Sequence, residues 1–183
     1  MYTLIVPVPL ALATALTPYR QKYDPLAYGL PPHISILSPF EFFDPPEILY
    51  NHLHNVGETF APIKVSITGW DTYRHIDYQI RLPVLAGKEL LIDLRENLLT
   101  GPLKYCPGQD KDYSPHITLG KFTEQADQEK ARQDLQGFEP HFIFRVTHLE
   151  LRRWEQPGRP WKLHKKFSLE ATLAGARRNR QIN

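Results

Sequence analysis

The chain reads as an α+β fold made of two similar halves, antiparallel sheets flanked by helices, on three observations. Strand-like and helix-like segments alternate along its whole length. Hairpin-like segments fall at two corresponding places. A short segment, PHISIL at residues 32–37, recurs as PHITLG at 115–120, and internal repetition of this kind reveals architecture that single elements hide. At 183 residues, 42% hydrophobic and 23% charged, the chain suits one domain with a real core. That domain is expected over residues 1–170, and residues 171–183, with three arginines and no apolar face, read as a basic solvated tail.

Taken in order, residues 3–8 are rich in Leu, Ile and Val and stop at Pro9, as a short buried strand does. Leu10, Ala13, Leu16 and Thr17 recur at helical spacing, and Pro18 is expected to kink or restart that helix with Thr17 as a new cap. The loop YDPLAYGLPP leads into a strand at residues 33–40. Asp44-Pro45-Pro46-Glu47 carries a cap residue, a first-turn proline and an acidic residue three past the cap, and Leu49, Leu53 and Val56 then share a helical face ending at Gly57. Residues 64–70 and 78–85 alternate as two strands around a Tyr-Arg-His-Ile-Asp turn. Leu91, Leu94 and Leu98 mark a helix over 87–99, stopped by Gly101-Pro102. A polar loop, KYCPGQDKDY, precedes SPHITLGKF, and Thr123 is expected to cap a polar helix reaching Gly137. Residues 142–154 alternate as one long strand, and residues 161–169 return after the Glu155-Gln156-Pro157-Gly158 turn.

Composition excludes little else. A net charge of +2 and a pI near 8.6 permit a polyanionic partner without requiring one. A single cysteine, Cys106, forms no internal disulfide and no thiolate cage, which favours a reducing compartment, the cytoplasm by default. The apolar start has no basic flank, holds Pro7 and Pro9 and is too short to span a bilayer, so no membrane association is expected.

The repeat carries the chemistry. Alternate side chains of a strand point to opposite faces, so His33 and Ser35 project together, as do His116 and Thr118, while Ile34, Ile36, Ile117 and Leu119 face the other way. A lone histidine at a strand end is ordinarily a hydrogen-bonded structural residue. Two copies sharing the proline, the isoleucine, the hydroxyl and the next aliphatic residue are hard to reach by accident. Brought together by a pseudo-two-fold axis, they put two imidazoles and two hydroxyls around one cavity. One imidazole takes a proton from an attacking oxygen and the other gives one to a leaving oxygen. The hydroxyls of Ser35 and Thr118 donate to non-bridging phosphate oxygens. That kit suits phosphoryl transfer without metal, cofactor or covalent nucleophile.

At these residues the sequence resembles the 2H phosphoesterase superfamily, and within it the bacterial RNA 2′,3′-cyclic phosphodiesterases also called 2′-5′ RNA ligases. Residues 32–36 (PHISI) and 115–121 (PHITLGK) match its two His-x-Ser/Thr motifs, and the stretches ITGWDTYRHIDYQIRLPV and LELRRWEQPGRPWKLHKKFSL resemble the hairpins late in each half of its members. Ser35 stands where many members have threonine, and the hydroxyl is kept. The resemblance implies a bilobal fold with the motifs in a central cleft, one lobe holding both termini and the other the middle of the chain. It implies a substrate with a 2′,3′-cyclic phosphate or a 2′-5′ linkage, on an RNA end or a small nucleotide. It also implies His33 as the general acid and His116 as the base, a division that a near-symmetric pair does not reveal by itself. Ligation or hydrolysis of 2′-5′ linkages, and an RNA-end binding module without turnover, are the competing readings. No protein partner is expected, and the chain is expected to act as a monomer.

Secondary candidates follow from position. Tyr28 and Tyr113 lie in the loops ahead of the motifs, and Phe40 and Phe42 follow the first motif, all placed where a nucleobase could stack. Loop packing is the plain alternative for each. Lys121, Arg152 and Arg153 are candidates to neutralise phosphates, though strict alternation sets Lys121 on the face opposite His116. His52 and His54, two apart on a helix, point away from each other and read as surface residues, not metal ligands.

Overall fold

A computed structural model describes residues 1–74, 76–156 and 158–171; the expected basic tail lies almost wholly outside them. Nine strands, four helices and one 3-10 turn are formed by the described residues. The chain runs β1 (Tyr2–Pro7), α1 (Leu10–Tyr23), β2 (His33–Phe40), α2 (Pro46–Gly57), β3 (Ile63–Thr68) and β4 (Asp71–Arg74). It continues with β5 (Tyr78–Pro83), α3 (Lys88–Leu98), the turn Gly101–Leu103, β6 (His116–Phe122), α4 (Gln125–Asp134), β7 (His141–Val146), β8 (His148–Arg153) and β9 (Lys162–Ser168).

The first six elements and the six from β5 to β8 repeat one order, strand-helix-strand-helix-strand-strand. In the seven-stranded sheet, β4-β5-β6-β2-β1-β8-β9, the two motif strands β2 and β6 meet at the centre, antiparallel, with Ile34 opposite Ile117. β3 and β7 form a separate two-stranded sheet. Each half gives its last strand to the other side, β4 beside β5 and β8 beside β1. The crossover helices are exchanged too, for α1 and α4 pack on β6 while α3 packs on β2 and against α2. One lobe is therefore β2-β1-β8-β9 under α2 and α3, and the other β4-β5-β6 under α1 and α4.

Burial explains the alternation. Ile34, Ile36, Ile117 and Leu119 lie in the core with Leu4, Val6, Leu82 and the helix residues Leu12, Leu16, Leu91, Leu94 and Leu98. Both motif strands carry a bulge at the same place. Leu4 faces Leu37 but Ile5 faces Ser35, so Ile36 is the extra residue; Ile80 faces Gly120 but Arg81 faces Thr118, so Leu119 is. A bulge inverts the facing of everything beyond it. Two consecutive core residues result, and Ser38 and Lys121 turn back to the face of the histidines. Gly120 makes the second bulge possible, since a Cβ there would lie 2.9 Å from Tyr23 Cβ and 2.8 Å from the Phe122 ring.

Several sequence expectations are corrected. Helix α1 passes through Pro18 without restarting, and Thr17 donates its hydroxyl back to the Ala13 carbonyl (2.7 Å), the habit of a residue inside a helix. Neither Asp44 nor Thr123 caps a helix; the N-caps are Pro45 and Glu124, without side-chain bonds, and α4 ends at Asp134. The strand at 64–70 meets that at 78–85 through an isolated Ile67–Val84 bridge and not as a hairpin: the hairpin partner of β5 is β4, and β3 pairs along its length with β7. The long strand at 142–154 is two strands that part at Thr147 into different sheets. The apolar positions change phase there, from Phe142, Phe144 and Val146 to Leu149 and Leu151, in step with the change of sheet.

Replacing Ile34 by Ala, at the centre of this core, is expected to cost about 2–5 kcal/mol of stability, read as a lower denaturant midpoint at unchanged slope. A loss under about 1 kcal/mol would contradict the central place given to the β2–β6 pair.

Candidate active site

Each motif begins where its loop turns into strand. Nδ1 of His33 lies 2.7 Å from the Pro31 carbonyl, and Nδ1 of His116 lies 2.7 Å from the Ser114 carbonyl. A carbonyl only accepts, so Nδ1 carries the proton and Nε2 is left for chemistry in both rings. The intervening Pro32 and Pro115 fix φ between carbonyl and histidine, so the same acceptor recurs. Within the first motif, His33 Nε2 accepts from the Ser35 hydroxyl at 3.1 Å.

The antiparallel alignment at Ile34 and Ile117 sets His33 over against Thr118, and Ser35 over against His116. Each imidazole thus neighbours the hydroxyl of the other motif. Beyond Thr118 comes Arg81, bonded to Asp71 through Nε at 2.8 Å and stacked on Tyr73 at 4.0 Å. Beyond Ser35 come Ile5 and then buried Glu150, which holds Arg152 (2.6 Å) and Lys166 (3.4 Å). Asp71 and Glu150 occupy matching positions in the two lobes, each carrying a cation. With Lys121 brought round by the bulge, the face bearing the histidines has positive charge on both sides.

A buried arginine near the end of each crossover helix holds the loop that presents its motif. Arg20, 2% exposed, bonds Asp24 (2.9 Å from Nε) and the Leu30 carbonyl (3.0 Å), next to Pro31. Arg95, 7% exposed, bonds the Asp110 carbonyl (2.7 Å) and covers one face of Tyr113 at 4.6 Å. The second loop also grips the first motif strand, with the Tyr113 hydroxyl donating to the Ser35 carbonyl (2.8 Å) and Gln109 making two bonds to the Ser38 backbone (3.0 and 3.2 Å).

These surroundings set the proton affinities. Burial, chiefly, draws His33 down to about 4, helped by the charges of Arg20 and Arg152 and opposed by the Pro31 carbonyl and Asp24. Burial also lowers His116, with Arg81 and Lys121 acting the same way and the Ser114 carbonyl and Asp71 against. Both rings are thus poised neutral at pH 7 in the free protein, and an anionic phosphate between them favours the charged form of either.

The structure sorts the sequence candidates. It brings His33, Ser35, His116 and Thr118 to one face. Phe40 is corrected: at 2% exposure it is core, packed on Tyr2, and offers no base a surface. Phe42 is half-buried against the core. Tyr113 is a strut between the motifs, whereas Tyr28 is 79% exposed. Lys121 is on the histidines' face, not opposite, and Gly120 was the signal, since glycine inside a strand marks a bulge. Arg81 and Lys166 were missed, because their place depends on pairings that no local pattern encodes. His52 is half-buried and bonds the Leu98 carbonyl (2.9 Å), a correction to its surface reading, and His54 is exposed beside Glu58. No group of three or more His, Cys, Asp or Glu side chains able to hold a metal occurs among the described residues.

The two-lobed, pseudo-symmetric fold is shared with solved structures. TT0787 of Thermus thermophilus matches with a TM-score of 0.64 at 23% identity, over 93% of this chain and 98% of that one. Escherichia coli LigT complexed with 3′-AMP matches with a TM-score of 0.60 at 16% identity, over 92% and 97% of the two chains. Provisionally named phosphoesterases of Bacillus licheniformis and Bacillus thuringiensis are 28% and 29% identical over 105 residues, 56% of this chain. The match spans 60% and 58% of the length of those relatives. The family model of the 2′-5′ RNA ligase superfamily matches residues 8–158, both motifs included. The chain belongs to that superfamily, a phosphoesterase family.

In the free protein, an NMR titration is expected to find His33 half-protonated near pH 4. Arg20→Met should raise that midpoint, because it removes a nearby cation and leaves Asp24 unpaired. A midpoint at the ordinary histidine value in the wild type, or no rise in the variant, would contradict the electrostatic account.

Proposed function

We propose that the protein is a phosphodiesterase that opens 2′,3′-cyclic phosphates at RNA ends or on nucleotides, leaving 2′-phosphates, by acid-base catalysis between His33 and His116. The observation that carries this reading is the pair of imidazoles suspended alike from symmetry-related strands, each with Nε2 free of the backbone and a hydroxyl of the other motif beside it. Superfamily membership, and the solved complexes of Escherichia coli LigT with 3′-AMP, ATP and NADP+, support a nucleotide in the cleft. No helix among the described residues is long and apolar enough to cross a membrane.

Opening the ring by water is an in-line displacement, with the entering and leaving oxygens on opposite sides of phosphorus. A two-fold axis between the motifs supplies a proton acceptor on one side and a donor on the other. His116 Nε2 takes the proton of the attacking water as its oxygen bonds phosphorus. The bond from phosphorus to O3′ breaks, and His33 Nε2–H gives its proton to that oxygen. Ser35 and Thr118 donate to the non-bridging oxygens, for which the Ser35 hydroxyl leaves His33 Nε2. Lys121, Arg81 and Arg152 offset the charge. With a nucleoside 5′-hydroxyl in place of water the same displacement makes a 2′-5′ linkage, O5′ bonding phosphorus as the bond to O3′ breaks; in the reverse step the 3′-hydroxyl attacks, the bond to O5′ breaks, and the two imidazoles exchange roles.

His33→Ala or His116→Ala is expected to lower turnover of a 2′,3′-cyclic nucleotide by about a hundredfold or more with the fold intact by circular dichroism, and EDTA should leave the wild type unaffected. Undiminished turnover in both variants would refute the assignment. Because the acid must be charged and His33 is depressed in the free protein, kcat/KM should fall as pH rises above its low pKa. With the anion bound the same limb should lie at higher pH in kcat. Coincident limbs in the two profiles would contradict this.

A further inference from the structure

The β8–β9 hairpin holds features that the two-histidine chemistry does not use. β9 is an edge strand exposed everywhere but Phe167 and carries Lys162, Lys165 and Lys166. At its turn Trp154 and Trp161 stack, with centroids 6.1 Å apart and planes 24° apart. Trp154 donates its indole N–H to the Arg159 carbonyl (3.1 Å), and the Trp161 backbone N–H bonds the Gly29 carbonyl (2.9 Å). With Tyr28, Leu26 and Met1 the two rings line a cavity of about 450 Å³. A neighbouring hollow shares Arg159 and Pro160 and sets Arg153, Arg159 and Lys162 against Glu155. Water-facing aromatic rings beside unbalanced cations ask for a partner that is planar and anionic together.

The box is tied to the elements of the catalytic cleft at two points. Gly29, to which Trp161 is tied, lies in the loop that delivers Pro31 and His33. Arg152, whose charge reaches His33, contacts the Trp161 carbonyl at 3.5 Å and Glu150 at 2.6 Å.

We propose that the hairpin docks single-stranded RNA leading away from the reacting end, one base entering the Trp154, Trp161 and Tyr28 box while backbone phosphates lie over Arg153, Arg159 and Lys162. The proposal rests on the cleft being a nucleotide phosphodiesterase site, and it names the preferred substrate as an oligomer. Aromatic faces accept any base, so the box tolerates sequence. Cations along the backbone give an affinity that falls with salt. An acidic peptide would engage the cations but leave the box without a planar occupant.

The full-length protein is assayed on a 2′,3′-cyclic mononucleotide and on a short oligoribonucleotide ending in a 2′,3′-cyclic phosphate. Trp154→Ala is expected to raise KM for the oligomer about tenfold and to leave the mononucleotide parameters unchanged; Arg159→Ala, on the exposed turn, should flatten the salt dependence of the oligomer alone. An unchanged oligomer KM in both variants, or an equal loss on both substrates, would overturn the docking surface. Should the wild type turn over neither substrate, the cleft reading fails, and docking is then decided by tryptophan fluorescence. Quenching by the same RNA with a 2′-phosphate end, reduced in Trp154→Ala, supports it; absence of quenching, or equal affinity for an acidic peptide, overturns it.

Discussion

The antiparallel meeting of Ile34 with Ile117 is the constraint on which the rest of the structure depends. It joins the halves of the sheet at their motif strands. Because side chains alternate, the contact that buries two isoleucines on one face necessarily brings the two His-x-hydroxyl units together on the other. The core and the site are two sides of one pairing. The exchange of crossover helices and last strands reinforces it, since neither lobe completes its layer without elements from the other half. Parting the lobes would expose the shared core, and that cost opposes their relative motion.

Rigidity at the sheet does not by itself aim an imidazole. That is done by the loops, where a carbonyl two residues back fixes the tautomer and a buried arginine from the preceding helix fixes the loop. The two sides are not equal. Arg20 is neutralised by Asp24, whereas Arg95 faces a carbonyl and an aromatic ring, and the second loop reaches across to hold the first motif strand. The two motifs therefore sit in different electrostatic settings, and in the proposed reaction that difference lets one repeated unit supply both an acid and a base. Burial favours the neutral form of both rings in the free protein, and in the proposed reaction the substrate's own charge calls up the protonated partner.

Much of this was legible in the sequence, and the reason is local encoding. PHISIL and PHITLG state residue type and facing within a few positions, so fold class, the four motif residues and the burial behind them followed from alternation. What did not follow depended on distant partners. Residues 142–154 read as one strand only when the step in phase from Phe142, Phe144 and Val146 to Leu149 and Leu151 is passed over, and the partner that each part takes is not encoded locally. The bulges at Ile36 and Leu119 re-aim Ser38 and Lys121, and only Gly120 hinted at that. Phe40 shares the parity of Ile34 and Ile36, and the bulge at Ile36 is offset by a second register shift between Leu4 and Tyr2, so its ring returns to the core against Tyr2 rather than towards a base. Arg81 joins the site because β5 pairs with β6, and Lys166 because β8, its hairpin partner, crosses to lie beside β1; neither pairing is written in the residues themselves.

The central claim is that His33 and His116 act in concert on a single phosphate. A double-mutant cycle on turnover of a 2′,3′-cyclic nucleotide tests it most directly. If one proton transfer is useless without the other, the variant lacking both imidazoles is no slower than the slower single variant, as happens when groups act as a unit. Losses that multiply, each histidine contributing its full factor in the absence of the other, would show two independent roles and contradict the account.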